Sequence, residues 1–91
     1  MREVIQGKRF KRDYKKVAAS GRHSADDFLQ VVKLLAQDKL LPAKYHDHAL
    51  SGEWVGYREC HIKPDWLLIY TKSNSSEELI LVRTGSHSEL F

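Results

Sequence analysis

Residues 54–70 read Trp54-Val55-Gly56-Tyr57-Arg58-Glu59-Cys60-His61-Ile62-Lys63-Pro64-Asp65-Trp66-Leu67-Leu68-Ile69-Tyr70. From Trp54 to Ile62 the side chains alternate with a period near two. Arg58, Cys60 and Ile62 fall on one face, and Tyr57, Glu59 and His61 on the other. Such a pattern describes a strand whose two faces meet different surroundings. Lys63-Pro64-Asp65 has turn chemistry: proline presets one dihedral, and aspartate can bond its own backbone. Trp66 to Tyr70 is then a continuous apolar run, which predicts a central strand. Two strands joined by so short a turn must be antiparallel, so the second half of the chain is read as a sheet.

Working outward, Ser73-Asn74-Ser75-Ser76 is a loop, Leu79-Ile80-Leu81-Val82-Arg83 is the next strand, and Gly85 ends it. A short C-terminal strand or tail is expected after it. Upstream the period becomes helical. Residues 8–20 place Phe10, Tyr14, Val17 and Ala18 on one stripe, and Gly21 is a C-terminal stop. Ser24-Ala25-Asp26-Asp27 opens a second helix, with Ser24 as cap and the two aspartates at the positive end of the dipole. Phe28, Leu29, Val31, Val32, Leu35 and Ala36 form its apolar side, and it must stop before Pro42. Val4-Ile5 belongs to a short first strand. The expected fold class is α+β: a helical hairpin packed on an antiparallel meander, in the order β-α-α-β-β-β, as one domain over residues 1–91.

The composition, 42% hydrophobic and 30% charged, is that of a folded domain and not of a disordered chain. No apolar run approaches the roughly 20 residues of a membrane helix. Met1-Arg2-Glu3-Val4 lacks the apolar centre of a secretion signal. Both point to the cytoplasm, with no membrane partner. The single cysteine, Cys60, can form no intrachain disulfide.

Charge is unevenly spread. Residues 1–22 hold eight Lys or Arg against two acids, a net of +6, whereas the rest of the chain is at −3. Lys8, Arg9, Lys11, Arg12, Lys15 and Lys16 surround the apolar stripe of the first helix. Such an asymmetry suits a polyanionic partner; a solvated helix face explains it as well.

Four of the five histidines, His46, His48, His61 and His87, fall at predicted strand ends or loops of the second half. Imidazole moves protons near neutral pH better than any other side chain. Asp65 follows His61 across the turn, and His87 follows the strand that ends with Arg83. RNA can be cut by such groups alone. A base takes the ribose 2′-hydroxyl proton, an acid protonates the departing 5′-oxygen, and a cation such as Arg83 offsets charge on the phosphorane. Trp54, Trp66 and Phe91 can stack on unpaired bases. Each residue also has an ordinary structural role: exposed loop histidines, core packing for Trp66, a structural ion pair for Arg83, a turn for Asp65. His46-x-His48 with His61 matches no compact zinc motif. Cys60 shares the face of Ile62, as a buried thiol would. By residue type and spacing alone this is a basic α+β domain with a histidine-rich edge.

Longer motifs go further. Leu41-Pro42-Ala43-Lys44-Tyr45-His46-Asp47-His48-Ala49-Leu50-Ser51-Gly52 resembles a segment of the YafQ-type toxins of the RelE superfamily, a proline followed by Asp-His-x-Leu-x-Gly. Residues 54–66 are similar to their Trp-x-Gly-Tyr-Arg-x-x-His-x-x-Pro-Asp-Trp core. Arg83-Thr84-Gly85-Ser86-His87-Ser88-Glu89-Leu90-Phe91 is similar to their Arg-Thr-Gly-x-His-x-x-Leu-Phe ending. The resemblance spans essentially the whole chain. It implies a RelE-like fold and the toxin of a bacterial type II toxin–antitoxin system, which cleaves mRNA in the ribosomal A site. It implies no metal or other cofactor. The implied partners are a cognate antitoxin, the ribosome with its rRNA, and mRNA; operator DNA is met only through the antitoxin complex. Carried over, the catalytic set is His48, His61, Asp65 and His87, with Arg83 as phosphate stabiliser and Phe91 as base-positioning group. His87 is the acid, His48 or Asp65 the base, and His61 orients or shares that role. The basic helix and Trp66 would contact RNA or the ribosome. Ala49 stands where the family often has proline, and Cys60 where a small residue is usual. Two other readings use parts of the same surface. A ParE-like gyrase poison of the same superfamily needs no histidine–aspartate set, and a non-enzymatic nucleic-acid-binding module would tolerate alanine at His48 and His87.

Overall fold

The computed structural model describes residues 1–91. In chain order it has β1 (Glu3–Gln6), α1 (Lys8–Ser20), α2 (Ala25–Ala36), a 3-10 turn at Ala43–Tyr45, β2 (His48–Ala49), a 3-10 turn at Gly52–Trp54, β3 (Arg58–Lys63), β4 (Trp66–Ser73), β5 (Glu78–Gly85) and α3 (His87–Leu90). The five strands form one sheet in the order β1-β5-β4-β3-β2. As expected, β3, β4 and β5 are an antiparallel meander. The short first strand pairs parallel with β5, at the far edge. Below Arg58 the expected alternation fails: Gly52 and Gly56 take positive φ, and residues 52–54 coil into the second 3-10 turn.

The helical hairpin covers one face of the sheet. Phe10, Phe28, Val31, Val32 and Leu35 pack there against Cys60, Ile62, Trp66, Leu68, Tyr70, Leu79 and Leu81. The other face carries a smaller cluster of Leu67, Ile69 and Leu90, flanked by Leu50, Trp54, Tyr57 and Val82. Trp66 to Tyr70 are all buried because β4 is covered on both sides. Helix ends follow the chemistry read from the chain. Gly21 closes α1 in the left-handed region at φ 70°, and the Ser24 hydroxyl accepts from the Asp26 amide at 3.1 Å. Gly7 is demanded by a close approach: its N–H donates to the Leu81 carbonyl at 2.9 Å, and a Cβ there would lie 2.8 Å from that oxygen.

Asp13 fastens α1 to β5. Where β5 runs on past β1, the Asp13 carboxylate accepts from the Thr84 amide at 3.2 Å and from Arg83 Nε and Nη2 at 2.5 and 3.2 Å. No helix is long and apolar enough to cross a membrane.

The chain does not end in a strand or tail. Residues 87–90 form a one-turn helix, because Ser86 and Glu89 make a reciprocal capping box. The Ser86 N–H donates to Glu89 Oε1 at 2.8 Å, and the Glu89 N–H donates to Ser86 Oγ at 3.3 Å. Leu90 plugs the turn into the cluster of Leu67 and Ile69. The backbone and side chain of Ser86 hold the Glu89 carboxyl below its ordinary value of 4.5. A depressed folded pKa contributes stability above the ordinary value and loses it as pH falls through the folded one. Glu89→Ala is expected to cost α3 about 0.5–1 kcal/mol, read as faster amide exchange at Leu90 and Phe91. The wild type should approach the variant as the solution is acidified below the carboxylate range. Unchanged protection in the variant at neutral pH would contradict this.

Candidate active site

The segment 42–49 brings His46 and His48 to the β2 edge, and Asp47 pins it there. The Tyr70 hydroxyl donates to Asp47 Oδ1 at 2.6 Å, while Arg58 Nη2 reaches Oδ2 at 3.2 Å. Burial, and then the bond to Asp47, push the Tyr70 phenol well above its usual range, so it stays a donor. Asp47, and after it Tyr70, push the Arg58 guanidinium above its ordinary value and so hold it charged. With Asp47 fixed, His46 adopts φ 48° and turns its carbonyl to His48 Nδ1 at 2.7 Å. A carbonyl only accepts, so Nδ1 carries the hydrogen and Nε2 is left for chemistry.

β2 pairs antiparallel with β3, and His48 lies directly across from Glu59. His61 is two residues further along β3 and therefore on the same face as Glu59. Nε2 of His48 and Nε2 of His61 lie 3.6 and 3.3 Å from the same oxygen, Glu59 Oε1. The Glu59 side chain is only 4% exposed, His61 20% and His48 50%. One buried carboxylate thus sits behind two accessible imidazoles.

α3 completes the group. The rings of His61 and His87 are 6.2 Å apart, and those of His87 and Phe91 5.6 Å. Phe91 is largely exposed and meets the edge of Trp54 at 6.4 Å. Asp65, in the β3–β4 turn, accepts from the His87 amide at 3.4 Å and ties α3 to that turn. His48, His61, Asp65, His87 and Phe91 are therefore gathered along one edge. Beside them opens a cleft of about 660 Å³, walled by Lys44, Tyr45, His46, His48, His61 and Lys63, a size that admits a nucleotide.

Arg83 is not free beside the histidines. Two of its donors are spent on Asp13, and that carboxylate keeps the guanidinium firmly charged. Trp66 corrects a further expectation. It is 1% exposed, its indole donates to Thr84 Oγ1 at 2.9 Å, and its ring lies against His23 and Phe28. So deeply buried a ring is part of the core, and no base can stack on it. Lys8, Arg9, Lys11, Arg12, Lys15 and Lys16 are all exposed, and none is in an ion pair. Cys60 is buried, and burial pushes its thiol up, which leaves it inert as a nucleophile. No three His, Cys, Asp or Glu side chains are arranged to hold a metal ion; the His46 and His48 rings stand 5.4 and 6.4 Å from that of His61.

Sequence reasoning missed Glu59, Asp47 and Asp13. The alternation already set Glu59 on the face of His61, but its place opposite His48 needs the register of a two-residue strand that no pattern announces. Asp47 and Asp13 act through contacts distant in the chain. A lone acid inside the basic stretch 8–16 was the one available signal for Asp13.

Known proteins resemble the chain in both sequence and fold. A profile of the family described as bacterial toxin of type II toxin-antitoxin system, YafQ, matches residues 2–91. The mRNA interferase toxin YafQ of Escherichia coli K12 is 39% identical over 92 residues, covering 99% of this chain and 96% of that protein. A metal-bound toxin from Helicobacter pylori superposes with a TM-score of 0.91 at 41% identity, over 100% of both chains. YafQ in the E. coli DinJ–YafQ complex superposes with a TM-score of 0.85 at 35% identity, over 100% of this chain and 99% of that one. With its fold and nearly its whole length in common with them, the chain belongs to the YafQ toxin family of type II toxin–antitoxin systems.

Proposed function

We propose that this toxin is an endoribonuclease that cuts mRNA in the ribosomal A site by general acid–base catalysis, without a metal. The observation that carries the reading is the meeting of His48, His61 and His87 on one edge, with Phe91 exposed beside them. Relatives that match over nearly the whole chain bear the name mRNA interferase toxin.

In this mechanism His48, through Nε2, takes the 2′-hydroxyl proton, with His61 sharing the role. The 2′-oxygen attacks the adjacent phosphorus and forms a cyclic phosphate. His87 gives its proton to the departing 5′-oxygen. Asp65 serves by holding the His87 backbone, and Phe91 offers a ring on which a base can stack. Arg83 keeps Nη1 clear of Asp13, so a phosphate oxygen can be met by that nitrogen without breaking the pair. The six exposed bases of α1 dock on ribosomal RNA. A cognate antitoxin covers the toxin at rest, as DinJ is bound to YafQ in the E. coli complex, and this toxin with its own antitoxin represses their operon.

Induction of wild type in bacteria should produce new 5′ ends within codons of a translated message, and blocking translation should abolish them. His87→Ala should slow cleavage by about 10²–10⁴-fold. Phenanthroline, which strips transition metals and leaves the ribosome its magnesium, should change nothing in the purified reaction. Growth arrest without cuts would overturn the ribonuclease reading in favour of a gyrase-type poison, and loss of cutting in phenanthroline would overturn the metal-free mechanism. A second expectation concerns α1. Reversing Lys11, Arg12 and Lys15 to glutamate should weaken ribosome binding at least about tenfold and flatten its salt dependence, with the thermal midpoint little changed. Unaltered binding at physiological salt would remove α1 from the docking surface.

A further inference from the structure

We infer that Glu59 is the positioning residue of this site, a single buried carboxylate that orients both His48 and His61 and balances the proton that either ring takes up. The inference rests on the ribonuclease reading and deepens it.

Three observations converge. The β2–β3 register sets Glu59 opposite His48, and strand alternation sets it beside His61, so both rings share its face. The two Nε2 atoms lie 3.6 and 3.3 Å from one oxygen. The carboxylate is nearly sealed from solvent at 4%, while the rings in front of it are 50% and 20% exposed. Glu59 therefore cannot reach an RNA phosphate or ribose, and whatever it does passes through the histidines.

The proton balance shows what that is. His48 Nδ1 already holds a hydrogen on the His46 carbonyl, so the nitrogen that accepts from the 2′-hydroxyl is Nε2, the one nearest Glu59. When the O–H bond breaks and the N–H bond forms, the ring becomes a cation beside a carboxylate, and the two together are neutral. Without Glu59 that charge would arise beside two more imidazoles, since the rings of His46 and His87 both neighbour His61. The nearby carboxylates have other partners: Asp47 is held by Tyr70 and Arg58, Asp27 pairs with Lys63, and Asp65 accepts from the His87 amide. Because one oxygen serves both rings, either can be the base. Unlike a triad aspartate, which bonds the ring nitrogen opposite the one that takes the proton, Glu59 lies beside the accepting Nε2 itself, so it acts by balancing the charge of the imidazolium.

The test is the pH dependence of cleavage on programmed ribosomes by wild type, Glu59→Gln and Glu59→Asp, with ribosome binding measured alongside. Glu59→Gln should lose about 10²-fold in kcat at unchanged ribosome affinity, and the acid limb of its pH–rate profile should move to lower pH. Glu59→Asp should recover most of the rate and the wild-type profile. A Glu59→Gln enzyme with the wild-type rate and profile, or one slowed with its profile unmoved, would overturn the assignment. Nitrogen-15 spectra of the histidines in free wild-type toxin make the test independent of the folding of any variant and of RNA cleavage. Protonation of one of His48 and His61 should perturb Nε2 of the other; no mutual effect would overturn the proposal. Failure of wild type to cut at all would instead strike the ribonuclease reading and leave the spectra to judge Glu59.

Discussion

A carboxylate that is nearly sealed inside a protein must be given a positive or hydrogen-bonding neighbour, or it will not stay charged. Glu59 imposes that requirement on everything around it. Its neighbours are two imidazoles, one contributed by its own strand and one by the strand across. The two-residue strand His48–Ala49, too short to matter for stability, matters for register: it decides that a histidine, and not Ala49, faces Glu59. A slip of one residue would turn His48 to the opposite face.

The site is assembled from stretches far apart in the chain, and at each junction an acid is the fastener. Asp13 fixes α1 to the end of β5, Asp47 fixes the histidine-bearing loop to β3 and β4, and Asp65 fixes α3 to the β3–β4 turn. These carboxylates accept from directional donors, backbone amides, guanidinium nitrogens and a phenol, which define orientation as well as distance. The apolar core makes the sheet rigid on the side of the helical hairpin. The opposite face is only partly covered, by one capped turn of helix and the Trp54 loop. A thin cover of that kind leaves imidazoles accessible over a stiff floor, the arrangement that proton transfer requires.

Much of this is legible in the chain. Helical periods at 8–20 and from 25 onward, strand alternation at 58–62 and the apolar run at 66–70 predict the layers, because each depends on side-chain pattern within a few residues. The residue types proposed for the site are legible through motif resemblance. What escapes is long-range. Arg83 looks like a free cation until Asp13, seventy residues earlier, is seen to hold it. Trp66 looks like a stacking platform, although its place before a fully apolar strand already suits the core. The α3 turn was open to reading, since Ser86-His87-Ser88-Glu89 has the spacing of a capping box, but strand expectation carried past Gly85.

At the centre of the account is attack by the ribose 2′-hydroxyl, drawn on by histidines and not by a metal-bound water. A message carrying one 2′-deoxy nucleotide at the mapped cut decides it most directly. On programmed ribosomes the account predicts that this message survives intact, and that its all-ribose twin yields an upstream fragment ending in a 2′,3′-cyclic phosphate. Cutting of the deoxy-substituted message at the same bond, with a 3′-hydroxyl end, would contradict it.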